Sequence, residues 1–429
     1  MIPIIQPKPS LYEHEGGLEC RMESLSLGYL AANIPDSMVI QQEDLYDESV
    51  ADMVVGSQMV MFSTYTNNFS RAKRIAEKIR QNDKDIQLII GGYHATGCVK
   101  HYDTHPKLLE EIMDIFDICA FGEGELTAKE LVHRISSGEA IDDIRGIAYQ
   151  RDHHIYINPP SQRIRDLDSY PFPERQSYDL SSFYQDVPGM PPKEEQIFAT
   201  IHSSRGCRYR CDFCCTPIQY GRGVTTRSAQ SVIDEIIDLV ERRGVNTLFV
   251  ADEDFFFDKK RAMQIFEGIS KYDLSVRTFA RADDLTDIGY LDKLRSHGLK
   301  GLLMGIETTD DTDLQQMGKK EKFAQILDAL KLCHEADIKV KGTYMLDPRD
   351  DPDTIHTNLH KLEQAKGLRG LYMTILTPFP GTPLYKELHD RLLHNEWQFY
   401  NTNNIVFEAA MGQADLLQIK KRFLQEFGQ

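Results

Sequence analysis

No run of apolar residues in this 429-residue chain is long enough to span a bilayer. The stretch from Met1 to Pro9 lacks the charged and apolar regions of a signal peptide. No membrane partner is expected, and the reading is of a cytoplasmic protein. Basic residues are in short supply: 49 Lys and Arg stand against 66 Asp and Glu, a formal charge of -17. Such a field repels nucleic-acid backbones, so no nucleic-acid partner is expected either. Cysteine is scarce outside one segment. Four of the eight, Cys207, Cys211, Cys214 and Cys215, fall within nine residues, while Cys20, Cys98, Cys119 and Cys333 are scattered. In an unsecreted chain that clustering points to metal rather than to disulfides. Apolar residues make up 41% against 27% charged, which suits a folded chain, and the length suits two domains with a linker.

Residues 1–140 alternate short apolar runs with amphipathic stretches. Ile2–Ile5, Met38–Ile40, Met59–Phe62, Leu88–Ile90 and Ile118–Phe121 read as buried parallel strands. Ala72, Ile75, Ala76 and Ile79 repeat at helical spacing between two of them. Strand then helix, repeated, implies a doubly wound α/β sheet, which binds ligands beyond the carboxyl ends of its strands. Those ends carry Ser63-Thr64-Tyr65-Thr66, Gly91-Gly92-Tyr93-His94-Ala95-Thr96 and Gly122-Glu123-Gly124-Glu125. Their glycines allow tight turns and close approach of backbone to a ligand. Residues 141–196 read as a hairpin turning at Asp152–His153, then a proline-rich linker. From residue 197 to 385 the alternation restarts with six strands: Ile197–Ile201, Thr247–Val250, Val276–Ala280, Gly301–Met304, Val340–Met345 and Leu371–Leu376. Six repeats imply an incomplete parallel barrel. Residues 386–429 read as a helical extension, with Asp415–Phe427 as a helix capping the barrel.

Just after the first barrel strand, Cys207, Cys211 and Cys214 form C-x3-C-x2-C. Three thiolates on a short loop can hold three irons of a [4Fe–4S] cluster and leave the fourth open. An open coordination position is the mark of a catalytic metal rather than a structural one. Zinc, with Cys215 as a further ligand, is the competing reading, but no second Cys or His pair stands at zinc spacing.

The segment resembles the radical S-adenosylmethionine (SAM) superfamily, including the aromatic Phe213 before the last cysteine. The resemblance implies that SAM chelates the open iron and is cleaved to methionine and a 5′-deoxyadenosyl radical. It implies an electron donor such as flavodoxin or ferredoxin. It points to Asp252, Glu253 and Asp254 after the second barrel strand as candidates for the SAM amino group, although the family's Gly-Gly-Glu is absent. Arg281 is a candidate for the SAM carboxylate, and Gly305-Ile306-Glu307 resembles a further SAM-proximal segment. The ordinary alternative for each is an ion pair within the protein. Thr377 to Tyr385 resembles the segment closing such barrels.

The first domain resembles the Rossmann-like cobalamin-binding domain that precedes many of these barrels. That resemblance makes Ser63, Thr64, Gly91, Gly92, His94, Gly122 and Glu123 candidate cobalamin contacts. The D-x-H-x-x-G motif whose histidine ligates cobalt is absent, so the lower face of the cofactor is expected to lack a protein ligand. Together the resemblances imply a cobalamin-dependent enzyme that methylates an unactivated carbon of a small-molecule substrate through the 5′-deoxyadenosyl radical and methylcobalamin. Three alternatives stay open: a non-methylating cyclisation or rearrangement on the same architecture, a methylthiotransferase using Cys20, Cys98 and Cys119 for a second cluster, and a non-catalytic cobalamin sensor or carrier. The cysteine loop is expected at the barrel mouth with its sulfurs converging.

Overall fold

The computed structural model describes residues 1–8, 20–42 and 45–426. The first sheet contains β1 (Ile2–Gln6), β2 (Ser37–Gln41), β3 (Met59–Ser63), β4 (Gln87–Gly91), β5 (Ile118–Ala120), β6 (Ile147–Arg151) and β7 (His154–Ile157). Their order is β2-β1-β3-β4-β5-β6-β7. The first five are parallel, and β6 and β7 add an antiparallel edge. The hairpin expected around Asp152–His153 is thus part of this sheet; both turn residues have positive φ, +49° and +61°, as a two-residue hairpin turn requires. Strand order reverses at β1, which places the ligand crevice beyond the carboxyl ends of β1 and β3. The helix Thr66–Asn82 covers one face with Phe69, Ala72, Ile75, Ala76 and Ile79, all buried. Burying that apolar stripe against the sheet is what holds the layers together.

The second sheet runs β8 (Phe198–Ile201), β9 (Thr247–Val250), β10 (Ser275–Ala280), β11 (Leu299–Glu307), β12 (Lys339–Leu346) and β13 (Leu368–Ile375), in sequence order and all parallel. Among the described residues β8 and β13 do not pair with each other, so the barrel is open on one side. The helix Gln413–Glu426 packs Leu416, Phe423 and Leu424 into the barrel core. The segment before it does something composition does not reveal. Leu384, Tyr385, Trp397, Tyr400 and Phe407 join the core under the first sheet. The end of the chain therefore ties the two sheets into one body, and the Trp397 indole donates to Glu111 Oε2 at 2.8 Å.

Cys98 and Cys119 are fully buried in the first sheet's core and Cys333 in the barrel's. Burial pushes the Cys119 thiol up to about 12. Dry, protonated thiols behind a sheet are no ligand set, so the methylthiotransferase alternative loses its second cluster; the Cys20 side chain lies outside the described residues.

The two parts approach closely at a pair of glycines. A Cβ at Gly97 would lie 2.7 Å from the Pro380 carbonyl carbon, and one at Gly381 would lie 2.7 Å from Gly97 Cα. Gly97→Ala must push these segments apart. It should cost about 1–3 kcal/mol, the usual penalty of overpacking, read as a lowered urea midpoint. A midpoint equal to that of the parent would mean that the segments do not meet as described.

Candidate active site

The carboxyl ends of both sheets face one cavity of about 870 Å³. From the first sheet Ser63, Thr64, Gly91, Gly92, Gly122 and Glu123 line it, so six of the seven residues expected there share one wall. Thr200, His202, Phe249, Glu253, Phe279 and Tyr372 line it from the barrel, and Tyr400–Asn403 contribute from the C-terminal segment.

His94 is the exception, and the expectation of a cofactor contact is corrected. It is 1% exposed and off the cavity wall. Its ring stacks on Phe69 at 4.3 Å and meets Trp397 edge-on at 5.0 Å. Nδ1 lies 3.3 Å from Thr66 Oγ1, and burial lowers its pKa to about 3. It is a neutral core histidine on the helix Tyr93–Lys100. The reason given for Gly92 is also corrected. With φ +99°, a Cβ there would sit 2.7 Å from the Thr64 backbone nitrogen, so the chain itself demands glycine. Gly91 has ordinary room, with its nearest neighbour at 3.4 Å.

The cysteine loop lies between the pair Ser204–Arg205 and the helix Thr216–Tyr220. Cys207, Cys211 and Cys214 are all half-buried. Backbone bonds pin the loop: Asp212 N donates to Met317 O at 3.0 Å, Cys214 N to Cys211 O at 3.1 Å and Leu384 N to Asp212 O at 3.1 Å. Burial pushes the Cys207 thiol up to about 12 and Cys211 to about 11. Such thiols are poor free nucleophiles. Among the described residues no three Cys, His, Asp or Glu converge as the donor set of a single ion.

The three acids after β9 have separate jobs. Asp252 is fully buried and accepts from Ser203 N, Ser203 Oγ and Ser204 Oγ. Asp254 accepts from Arg208 Nε at 2.8 Å and from Arg208 N at 3.2 Å, so it braces the cysteine loop. Only Glu253 lines the cavity, accepting from Gly206 N at 3.2 Å. Burial, reinforced by Asp252, raises its pKa to about 7.

A family model described as the radical SAM superfamily matches residues 201–362. Those residues form a radical SAM domain. Over 389 residues the chain is 26% identical to an uncharacterized methyltransferase of Pyrococcus horikoshii, covering 88% of this chain and 81% of that one. It is 24% identical over 400 residues to an anaerobic magnesium-protoporphyrin IX monomethyl ester cyclase of Rubrivivax gelatinosus, covering 91% and 69%. The fold matches the radical SAM methyltransferase TsrM of Kitasatospora setae, solved with cobalamin and a [4Fe–4S] cluster, with a TM-score of 0.68 at 18% identity over 91% of this chain and 74% of that one.

Within the radical SAM domain, Arg281 is already engaged. Its guanidinium lies 3.5 Å from the centre of the Tyr209 ring, donates to Lys319 O at 2.6 Å and pairs with Asp283 and Glu321. Glu307 sits at φ +66° where the register between β11 and β12 slips, and Lys319 Nζ reaches it at 3.3 Å. A glutamate at positive φ is strained backbone, a condition that gathers at functional sites. Phe213 packs against the first sheet's core. Two pieces escaped sequence reasoning. Arg205 donates to Glu123 Oε2 at 3.1 Å and to Glu125, joining the cysteine loop to the first sheet; its place beside the motif was the only hint. Lys319 is 3% exposed and bonded to Gly305 O at 2.6 Å, a role with no local pattern.

Glu253 generates a pH prediction. Its pKa rises from 4.5 in the unfolded chain to about 7, so stability from this group is complete below 4.5 and is lost as pH climbs through 7. Glu253→Gln cannot ionise. In cofactor-free protein its urea midpoint should exceed the parent's at pH 8 and converge on it toward pH 5. A gap independent of pH would show that Glu253 is not desolvated.

Proposed function

We propose that this chain is a cobalamin-dependent radical SAM methyltransferase acting on an unactivated carbon of a small molecule. The observation that carries the reading is the shared cavity: the strand ends of a doubly wound sheet and of a radical SAM barrel face each other across it. Cys207, Cys211 and Cys214 would hold a [4Fe–4S] cluster. In such a cluster each sulfur takes a different iron. Ser63, Thr64 and Gly91, on the first sheet's wall of the cavity, would face the cobalamin. When bound, the cluster together with SAM would supply a 5′-deoxyadenosyl radical, and cobalamin a transferable methyl group.

The chain's own residues supply placement and charge. Glu253 is the one acid of its trio free to meet an ammonium. A cationic amine brought against it would stabilise the carboxylate and drive off the proton held near neutral pH. Asp252 and Asp254 fix the backbone on either side, so Glu253 approaches from a rigid support. Reduction by an external donor such as flavodoxin or ferredoxin, and a cytoplasmic location, belong to the same proposal. Among the described residues no helix is long and apolar enough to cross a membrane. The cyclase among the relatives keeps a non-methylating radical step as the second reading; the product of SAM with substrate, methylated or not, separates the two. A sensor or carrier would have no use for the cysteine loop.

Replacing Cys207, Cys211 and Cys214 together with alanine should abolish iron binding, about four irons per chain in the parent, and SAM cleavage with it. Cys215→Ala should cost far less. 5′-Deoxyadenosine from the triple variant would overturn the assignment. Parent protein should also take up hydroxocobalamin, and its reduced cobalt should show no histidine nitrogen splitting by electron paramagnetic resonance. Gly91→Leu should weaken that uptake by filling the groove while leaving the urea midpoint near that of the parent. Protein that binds no cobalamin would remove the methyltransferase reading and leave the radical SAM one.

A further inference from the structure

The barrel side of the cavity has a chemistry of its own. Thr200 pairs with Phe249 across β8 and β9, and Phe249 with Arg277 across β9 and β10. Two residues further along each chain come His202, Ala251 and Phe279. Strand alternation returns side chains to the same face every second residue, so these three form the next row toward the mouth. All three line the cavity. The middle member is only a methyl group, so a notch opens between an imidazole and a phenyl ring. Its floor is Phe249, whose ring meets Phe279 edge-on with centres 5.0 Å apart.

The notch is poor in charge. Arg205 is the one cation among the described barrel residues on the cavity wall, and Glu123 and Glu125 take both its arms. Arg277 beneath the floor is 2% exposed and donates to Gln185 Oε1 at 3.1 Å. An anion brought here would lose its water and face Glu253, while the cavity's further cations, Lys8 and Arg21, come from the part of the chain before the barrel. His202 differs from its neighbours. It lines the cavity and also a small recess beside Tyr29, Phe172 and Arg227, and neither ring nitrogen has a hydrogen-bond partner among the described residues. Burial lowers its pKa, so the ring is a neutral donor and acceptor.

We propose that the notch between His202 and Phe279 over Ala251 is the substrate subsite, and that it takes an uncharged, flat, largely apolar ring system with one hydrogen-bonding group directed at His202. This rests on the reading of the cavity as the reaction site. Aromatic walls offer such a ring edge and face contacts, and the lone imidazole fixes its orientation.

The test is equilibrium dialysis of the cluster-loaded protein, with and without cobalamin, against two bicyclic probes of equal shape. These are 2-naphthylmethanol, uncharged, and 2-naphthoate, its anionic counterpart. The alcohol should bind one site at least about ten-fold more tightly than the acid, the cost of desolvating an unpaired charge. Ala251→Leu fills the notch and should weaken the alcohol about ten-fold or more. His202→Ala adds no bulk and so serves if the first variant does not fold. It should weaken the alcohol several-fold while leaving naphthalene unchanged, about what one lost hydrogen bond costs. Equal affinity for alcohol and acid, or an alcohol affinity unmoved by either variant, overturns the subsite. No turnover is read, so the two proposals fail separately. Protein that methylates yet binds both probes equally loses only the subsite; protein that refuses cobalamin yet discriminates between the probes loses only the methyltransferase reading.

Discussion

The arrangement of this molecule hangs on one buried guanidinium. Arg205 stands two residues before the first cysteine of the motif, 6% exposed, with one arm on Glu123 and the other on Glu125. Its plane lies over the Tyr29 ring at 5.2 Å. Glu123 comes from the loop after β5 and Glu125 opens the helix Glu125–Ser137 that follows it, at the ligand-binding edge of the first sheet. Two acids share one cation. Burial and Glu125 raise the Glu123 carboxyl, and Arg205 opposes them. Removing the arginine would strand buried negative charge, a loss of about 3–5 kcal/mol for a broken buried pair. The pair is better understood as a device for register than for stability. It fixes how far the cysteine loop stands from the first sheet, and that separation is the cavity.

Behind it lies a second layer of the same kind. Glu235 is 1% exposed and accepts from Arg175 at 2.8 Å and from Arg227. Arg175 also donates to Thr200 O at 2.6 Å, and Arg227 to His202 O at 3.2 Å. These bonds go to backbone on either side of the end of β8, where the barrel begins to face the cavity. Burial raises the Glu235 carboxyl, but two guanidinium groups outweigh it and hold the group low. Charge is thus spent on the supports, and the barrel face they support is left aromatic and nearly neutral.

Much of this was legible in the chain. The eleven parallel strands of the two sheets announce themselves as short segments rich in apolar residues, because most are buried on both faces, with Arg277 in β10 and Lys341 in β12 as buried polar exceptions. The cysteine loop was legible because its chemistry is local: three ligands within eight residues. What failed to read was whatever depends on a side chain's direction. His94 follows a glycine pair in a segment that resembles a cofactor loop. It is the second residue of the helix Tyr93–Lys100, and helical geometry turns it inward onto Phe69. Asp252, Glu253 and Asp254 are consecutive and lie past the end of β9, where a turn sends them different ways, but nothing in the residues says which faces the ligand. Lys319 and the Tyr400–Asn403 stretch reach the site through tertiary packing and leave no period to detect.

The glycines show the same divide between what a residue permits and why it is there. Gly92 and Gly122 both have positive φ, +99° and +82°, and both line the cavity. At Gly92 the excluded volume belongs to Thr64, not to a ligand. At Gly318 it belongs to the cysteine loop, since a Cβ there would lie 2.8 Å from Arg210 O. At Gly97 it belongs to the segment closing the barrel. Each is a point where backbone meets backbone, and of these three Gly92 lines the cavity. The first sheet's wall combines such fixed backbone with side chains, among them Tyr65, Asn67 and Tyr93. Where backbone forms it, a broad planar ligand can lie against it without ordering a rotamer, and so at little entropic cost. The opposing barrel wall is built from the side chains of Phe249, Phe279, Tyr372 and His202, and selectivity for what is brought to that ligand belongs on that side.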